Sequence, residues 1–364
     1  MLSSFSQERA GPAIAGWLRN LFAEATDMRG FFLLASAANP IQDLSIFNPA
    51  SPPAESIRSL FILVLGVTGA IFLLVEGVLL YCLFRFRRHA PGTTEPPQVY
   101  GSLPIEIAWT AAPAMIVIVL ALILTRTEFE VRVNQDRPPA GSKPLYVTVI
   151  GHQWWWEYQY DKYDGKDLGF ITANELHIPV SDTGVPRPVY LTLLSADVCH
   201  SYWVPRLAGK TDLIPGRTNH LWFQTSQQAL YLGQCAEYCG TQHAHMLLRV
   251  NADSVADFET WLDNQKKPAR DDAAAHAGRD AFLNQSCVNC HRVRGTVAAG
   301  TYAPDLTHLM SRETLASGMV PNTRDELLKW VNDPQQIKSG CLMPAFGLSE
   351  EKVNLLVSYL ITLK

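Results

Sequence analysis

Two long apolar stretches dominate the first third of the chain. Residues 57–84 are almost continuously apolar, interrupted by Arg58, Ser59 and Glu76, and residues 105–125 repeat the pattern with Glu106 just inside their start. Each exceeds the roughly 20 residues a helix needs to cross the hydrocarbon core. The pattern therefore predicts a transmembrane hairpin over residues 57–125. Between the stretches lies the densest short basic cluster, Arg85-Phe-Arg87-Arg88-His89. Cationic loops stay on the cytoplasmic side, so both termini are expected outside. From residue 144 to 261 the period shortens to that of strands, as in Leu145-Tyr-Val-Thr-Val-Ile, Val189-Tyr-Leu-Thr-Leu-Leu, His220-Leu-Trp-Phe and Met246-Leu-Leu-Arg-Val. Gly, Pro and Asp turns separate these runs, which predicts an all-β antiparallel sandwich over residues 140–262.

Residues 263–275 are polar and read as a linker. Beyond them the period is helical again. Thr323-Arg-Asp-Glu326 is a capping box opening a helix that Asp333-Pro334 ends. Ser349 caps a last helix whose Val353, Leu356, Val357 and Leu360 form an apolar stripe. Residues 276–364 are thus expected to form a small all-α domain. Residues 1–56 form an N-terminal arm; Met28-Arg-Gly-Phe-Phe-Leu-Leu-Ala-Ser-Ala-Ala is either a short signal segment, cleaved near Ala37 or Ala38, or part of an uncleaved arm. The chain is a multidomain membrane protein in this reading. Its net charge of -4 and the lack of a basic stripe argue against nucleic acid as a partner. Glu76 is costly in lipid and points to a covering subunit.

Chemistry concentrates in Cys235-Ala-Glu-Tyr-Cys239-Gly-Thr-Gln-His243-Ala-His-Met246. Two thiolates, an imidazole and a thioether on one loop suit a soft metal, and sulfur donors favour copper over hard cations. Zinc would gain little from Met246. A disulfide would leave the His and Met unexplained. His200, in Asp197-Val-Cys-His200-Ser-Tyr-Trp, is spaced to close the site from a neighbouring loop. Cys199 is expected to face the other way as a small core residue, and His245 is not expected to be a ligand.

These motifs resemble the dinuclear copper A centre of the cytochrome c oxidase subunit II family, whose fold is a cupredoxin. The resemblance implies that Cys235 and Cys239 bridge two coppers, with His200 and His243 as terminal ligands and Met246 as a weak axial one. It further implies that the Glu237 carbonyl binds copper while its carboxylate faces a magnesium shared with the catalytic subunit. In Gly151-His-Gln-Trp154-Trp155-Trp156-Glu-Tyr158, the first tryptophan, Trp154, takes the family's role as electron input to copper, and Trp155 replaces the usual tyrosine. Lys210-Thr-Asp212-Leu-Ile-Pro-Gly-Arg217 resembles the segment facing the catalytic subunit. Glu106 matches a position associated with proton uptake; by itself it reads equally as an interfacial carboxylate.

A second redox signature is Cys287-Val-Asn-Cys290-His291. This spacing serves covalent haem c attachment, with His291 as an axial ligand. The sixth ligand is expected to be Met343, with Met310 and Met319 as competitors that read better as apolar side chains. Tyr302-Ala-Pro-Asp-Leu-Thr-His-Leu resembles the haem-flanking loop of cytochrome c domains fused to oxidase subunits, and His308 within it reads as a loop or solvent histidine.

Together the resemblances imply a haem-c-fused subunit II of a caa-type, proton-translocating cytochrome c oxidase in a bacterial plasma membrane, both redox domains outside. Cytochrome c would be the donor, with subunits I and III as partners and oxygen reduced in subunit I. A copper A subunit of a nitric oxide reductase, and an anchored copper–haem carrier, are the alternatives; a nitrous oxide reductase would need a propeller that this length does not hold.

Overall fold

The structure, a computed structural model, describes residues 44–87, 97–132, 138–182 and 184–364. The signal-like segment and the Arg88-His89 part of the basic loop lie outside the described residues.

Helix α1 spans Pro52–Arg85 and helix α2 Leu103–Val131. Their apolar side chains are exposed along most of their length, including Leu73, Phe72 and Val117. Neither helix is amphipathic, so no single face selects a core. At about 1.5 Å per residue, each is long enough to cross a bilayer. The N-terminus of α1 and the C-terminus of α2 both meet the β domain: Ala50 N donates to Arg206 O at 2.8 Å, Gln224 N to Ser51 Oγ at 3.2 Å, and Trp222 Nε1 to Val131 O at 3.1 Å. The basic Arg85–Arg87 end is therefore remote from that domain.

The β domain is a sandwich of two five-stranded sheets. One contains β1 (Leu145–His152), β2 (Trp155–Tyr163), β3 (Lys166–Ala173), β5 (Val189–Ser195) and β8 (Asn219–Phe223), in the order β3-β2-β1-β5-β8. The other contains β4 (Glu175–Pro179), β6 (His200–Trp203), β7 (Thr211–Leu213), β9 (Ala229–Cys235) and β10 (Leu247–Asp253), in the order β4-β10-β9-β6-β7. Alternate residues of β1 (Leu145, Val147, Val149) point into a core shared with Trp156, Tyr158, Leu191, Phe223 and Leu248. The sheets are mixed rather than antiparallel throughout, since β1 runs parallel to β5 and β4 parallel to β10. Long connections through the opposite sheet allow those pairings, and alternation alone does not reveal strand direction.

Helix α3 (Val255–Gln265) takes in the first residues of the expected linker. The rest of that segment lies against the C-terminal domain: Ala269 N donates to Arg294 O at 2.9 Å, and His308 Nε2 is 3.0 Å from Lys267 O. His308 is thus a buried clamp rather than a solvent histidine, its Nδ1 being 2.7 Å from Lys364 O. The helical domain comprises α4 (His276–Leu283), α5 (Cys287–Cys290), a small hairpin of β11 (Thr314–Leu315) and β12 (Val320–Pro321), α6 (Arg324–Asn332) and α7 (Glu350–Leu360). Both expected caps form: Thr323 Oγ1 accepts from Glu326 N, and Ser349 Oγ from Lys352 N, each at 3.3 Å. Val353, Leu356, Val357 and Leu360 are buried against Phe282 and Leu327.

Candidate metal and haem sites

Strand β9 ends at Cys235, and a loop carries Cys239, His243 and Met246 back to β10. The short turn at His243–His245 brings the last two inward. The Cys235 and Cys239 sulfurs are 3.8 Å apart, far beyond a disulfide bond. Around them lie His200 Nδ1 at 4.0 Å from Cys235 Sγ, His243 Nδ1 at 3.6 Å from Cys239 Sγ, Met246 Sδ at 3.9 Å from Cys239 Sγ, and Glu237 O at 3.2 Å from Cys235 Sγ. Among the described residues, His200, Cys235 and Cys239 have ligand atoms all within 4.8 Å of one another and are buried. The thiol of one cysteine donates to the other, which drives one member of the pair well towards thiolate; that charge resists ionisation of the second. A cation between them removes the conflict, because both thiolates are then compensated.

His200 is clamped from behind. Its Nε2 lies 2.8 Å from Asp197 Oδ1, so Nδ1 is the nitrogen left facing the sulfurs. Asp197 is held in turn by Gln153 N at 2.7 Å and Val198 N at 2.6 Å. Gly151 stands behind the ring, where a Cβ would come within 2.8 Å of His200 Cδ2. Cys199 is exposed in the loop before β6, which corrects the expectation that it is a core residue: the strand begins only at His200, so alternation does not reach back to it. His245 turns away, its Nδ1 2.6 Å from Gln242 Oε1.

Beside this cluster is an open cavity lined by both soluble domains. The β domain contributes Gln153, Trp154, Trp155 and Asn174; the helical domain contributes Cys287, Cys290, His291, Tyr302, Arg312 and Met343 among others. His291 Nδ1 donates to Pro304 O at 2.8 Å, which leaves Nε2 as its free ring nitrogen. Burial holds the imidazole below its ordinary pKa, favouring the neutral, ligating form. Gly300 packs on Cys290, where a Cβ would meet the carbonyl carbon at 2.4 Å. Met343 lines the cavity; Met310 and Met319 do not. Trp154 joins the two sites. Its ring borders the cavity, while Nε1 donates to Cys239 O at 3.0 Å.

The domains are also fastened by residues whose roles the sequence did not suggest. Glu175, 2 % exposed on β4, accepts from Glu313 N and Thr314 N at 2.8 Å each and from Thr314 Oγ1 at 2.5 Å. Arg249 lies 3.5 Å from the same carboxylate and 2.5 Å from Glu313. A carboxylate opening the short strand β4 is the one signal visible in sequence.

Three family models match in sequence order: cytochrome c oxidase subunit II, transmembrane domain, over residues 40–125; its periplasmic domain over 145–253; and cytochrome c over 275–364. A cytochrome c oxidase subunit 2 of Alkalihalophilus pseudofirmus is 34% identical over 328 residues, which cover 89% of this chain and 92% of the relative. The chain belongs to the cytochrome c oxidase subunit II family. A subunit 2 of Bacillus sp. strain PS3 is 33% identical, covering 91% of this chain and 94% of its own. The crystal structure of the periplasmic domain of subunit II of cytochrome oxidase of Bradyrhizobium japonicum is 28% identical, with a TM-score of 0.30, covering 34% of this chain and 93% of that one. This subunit II is the electron-intake component of a haem–copper oxidase, a membrane protein with periplasmic domains whose cofactors are copper and haem.

Proposed function

We propose that this subunit II takes electrons from cytochrome c into a covalently bound haem c, passes them to a dinuclear copper centre, and delivers them to subunit I, where oxygen is reduced. When bound, the haem iron and the copper pair supply one-electron redox chemistry. The observation that carries this reading is the convergence of both ligand sets on Trp154.

Cys235 and Cys239 would bridge the coppers, with His200, His243, Met246 and the Glu237 carbonyl completing the set. Two thiolates in a buried cluster suit a soft metal pair, and the Asp197 clamp fixes His200 before metal arrives. Cys287 and Cys290 would form the thioethers, and His291, oriented by Pro304, one axial bond. Met343 is the candidate for the other. The Trp154 indole supports electron input to copper through its bond to the Cys239 carbonyl.

The hairpin, the basic residues at its far end and the family membership support a two-pass topology in the bacterial plasma membrane, with the soluble domains outside. At the far end Glu106 lies in the first turn of α2 and accepts from Ser102 N at 3.2 Å; we assign it to proton uptake with subunit I. The Glu237 carboxylate is the candidate for a magnesium shared with subunit I, and subunit III is a further expected partner.

The test is electron paramagnetic resonance on the purified oxidase complex. Two coppers per chain with a mixed-valence signal are expected, and Cys239→Ser should abolish that signal while the haem spectrum stays. One copper per chain with a mononuclear spectrum would overturn the dinuclear assignment.

A further inference from the structure

Lys338 is a buried lysine that the ligand sets leave unused, and burial pushes its pKa down to about 7. It follows α6 in the helical domain, is 3 % exposed, and lines the cavity. Its Nζ donates to Trp154 O at 2.8 Å, His245 O at 2.8 Å and Ala316 O at 3.2 Å. In its charged form the group has three donors and no acceptor, so every proton then has a partner. Those partners come from three separate places: the turn between β1 and β2, the copper-ligand loop, and the turn between β11 and β12.

Each carbonyl belongs to a segment that a shift would disturb. Trp154 is held at both ends, by Lys338 at its carbonyl and by Cys239 O at its indole nitrogen. His245 sits between His243 and Met246, two of the candidate copper ligands. Ala316 and Ser317 line the cavity and hold φ of 54° and 62°. That left-handed backbone is costly for residues with a Cβ, so the turn depends on outside anchors. Ser317 supplies another, since its carbonyl accepts from Leu247 N at 3.3 Å. Burying an ammonium carries a substantial desolvation cost. Glu175 and Arg249 already dock the domains elsewhere, so docking alone does not explain why a lysine is buried here.

We propose that Lys338 is a positioning residue for electron passage between the domains, holding Trp154 and the His243–Met246 segment at a fixed separation from the haem cavity wall. This rests on the haem and copper assignments above. The step it would serve is the transfer of one electron between the groups that the two ligand sets would hold, with no bond made or broken.

The test uses the whole oxidase complex carrying Lys338→Met, which keeps an unbranched side chain and removes all three donors. Four quantities are measured: the copper resonance signal, both redox potentials, the rate from reduced haem to oxidised copper, and amide exchange over residues 154–156 and 243–247. The expected result is unchanged potentials, an unchanged rate of haem reduction by external donor, faster amide exchange, and haem-to-copper transfer slowed several-fold, because a loosened Trp154 lengthens the path between the two sites. Wild-type transfer, or a loss of rate explained by a shifted copper potential, overturns the proposal. If Lys338→Met fails to load the cofactors, Lys338→Gln, which retains an amide donor, is read in the same way. Failure of both to load would make Lys338 a folding residue and equally overturn it. Absence of the mixed-valence signal or of haem in the unaltered complex would instead reject the underlying assignments.

Discussion

Asp197 Oδ1 and His200 Nε2 are 2.8 Å apart, and this contact decides which imidazole nitrogen faces the two sulfurs. The carboxylate fixes ring orientation and tautomer, and raises the basicity of Nδ1. Asp197 is itself held below the usual carboxylate range: desolvation opposes ionisation, but hydrogen bonds from His200, Val198 and Gln153 outweigh it.

Asp197→Ala should therefore weaken copper binding by about 10–100-fold without altering the sulfur ligands. Competition with a copper chelator measures the effect. Copper retention equal to wild type would show that the clamp is dispensable.

Met343→Ala should remove the sulfur-to-iron absorption band and lower the haem potential, because thioether ligation raises it. The haem should stay attached through Cys287 and Cys290. If the band persists in Met343→Ala and disappears in Met310→Ala or Met319→Ala, the axial assignment fails.

Glu175→Ala should loosen the helical domain from the sandwich. It leaves Glu313 N and Thr314 N without an acceptor and Arg249 without one of its carboxylates, at roughly 1–3 kcal/mol for each unsatisfied buried group. Protease cleavage within residues 266–272 should accelerate while the copper signal remains. An unchanged cleavage rate would mean that the contact contributes little to docking.

Tyr100→Cys, at a position 97 % exposed beyond the basic end of the hairpin, should be shielded from an impermeant thiol reagent in intact cells. Lys266→Cys, next to the sandwich, should react. The opposite pattern would invert the topology.

Much of the site was readable because its chemistry is local in sequence. Five of the copper-ligand candidates share one twelve-residue stretch, and both candidate haem cysteines precede their histidine within five residues. Such spacings are short enough for the backbone alone to bring the donors close. The limits appear where period gives no direction. Alternation predicted β1 and β5 but not that they pair in parallel, and it suggested the wrong environment for Cys199, which precedes the strand it was assigned to.

The sequence by itself determined the two membrane-length apolar segments, the sandwich, the helical domain and nearly every ligand candidate, because each depends on side-chain type at fixed short intervals. Only the tertiary structure decided how the two redox sites meet. Trp154 and Lys338 are 184 residues apart and Glu175 and Thr314 are 139 apart, so no periodicity couples them. Their contacts exist because folding buries a lysine and a glutamate between the domains, where an unpartnered polar group is costly and each draws partners from the other domain as well as its own.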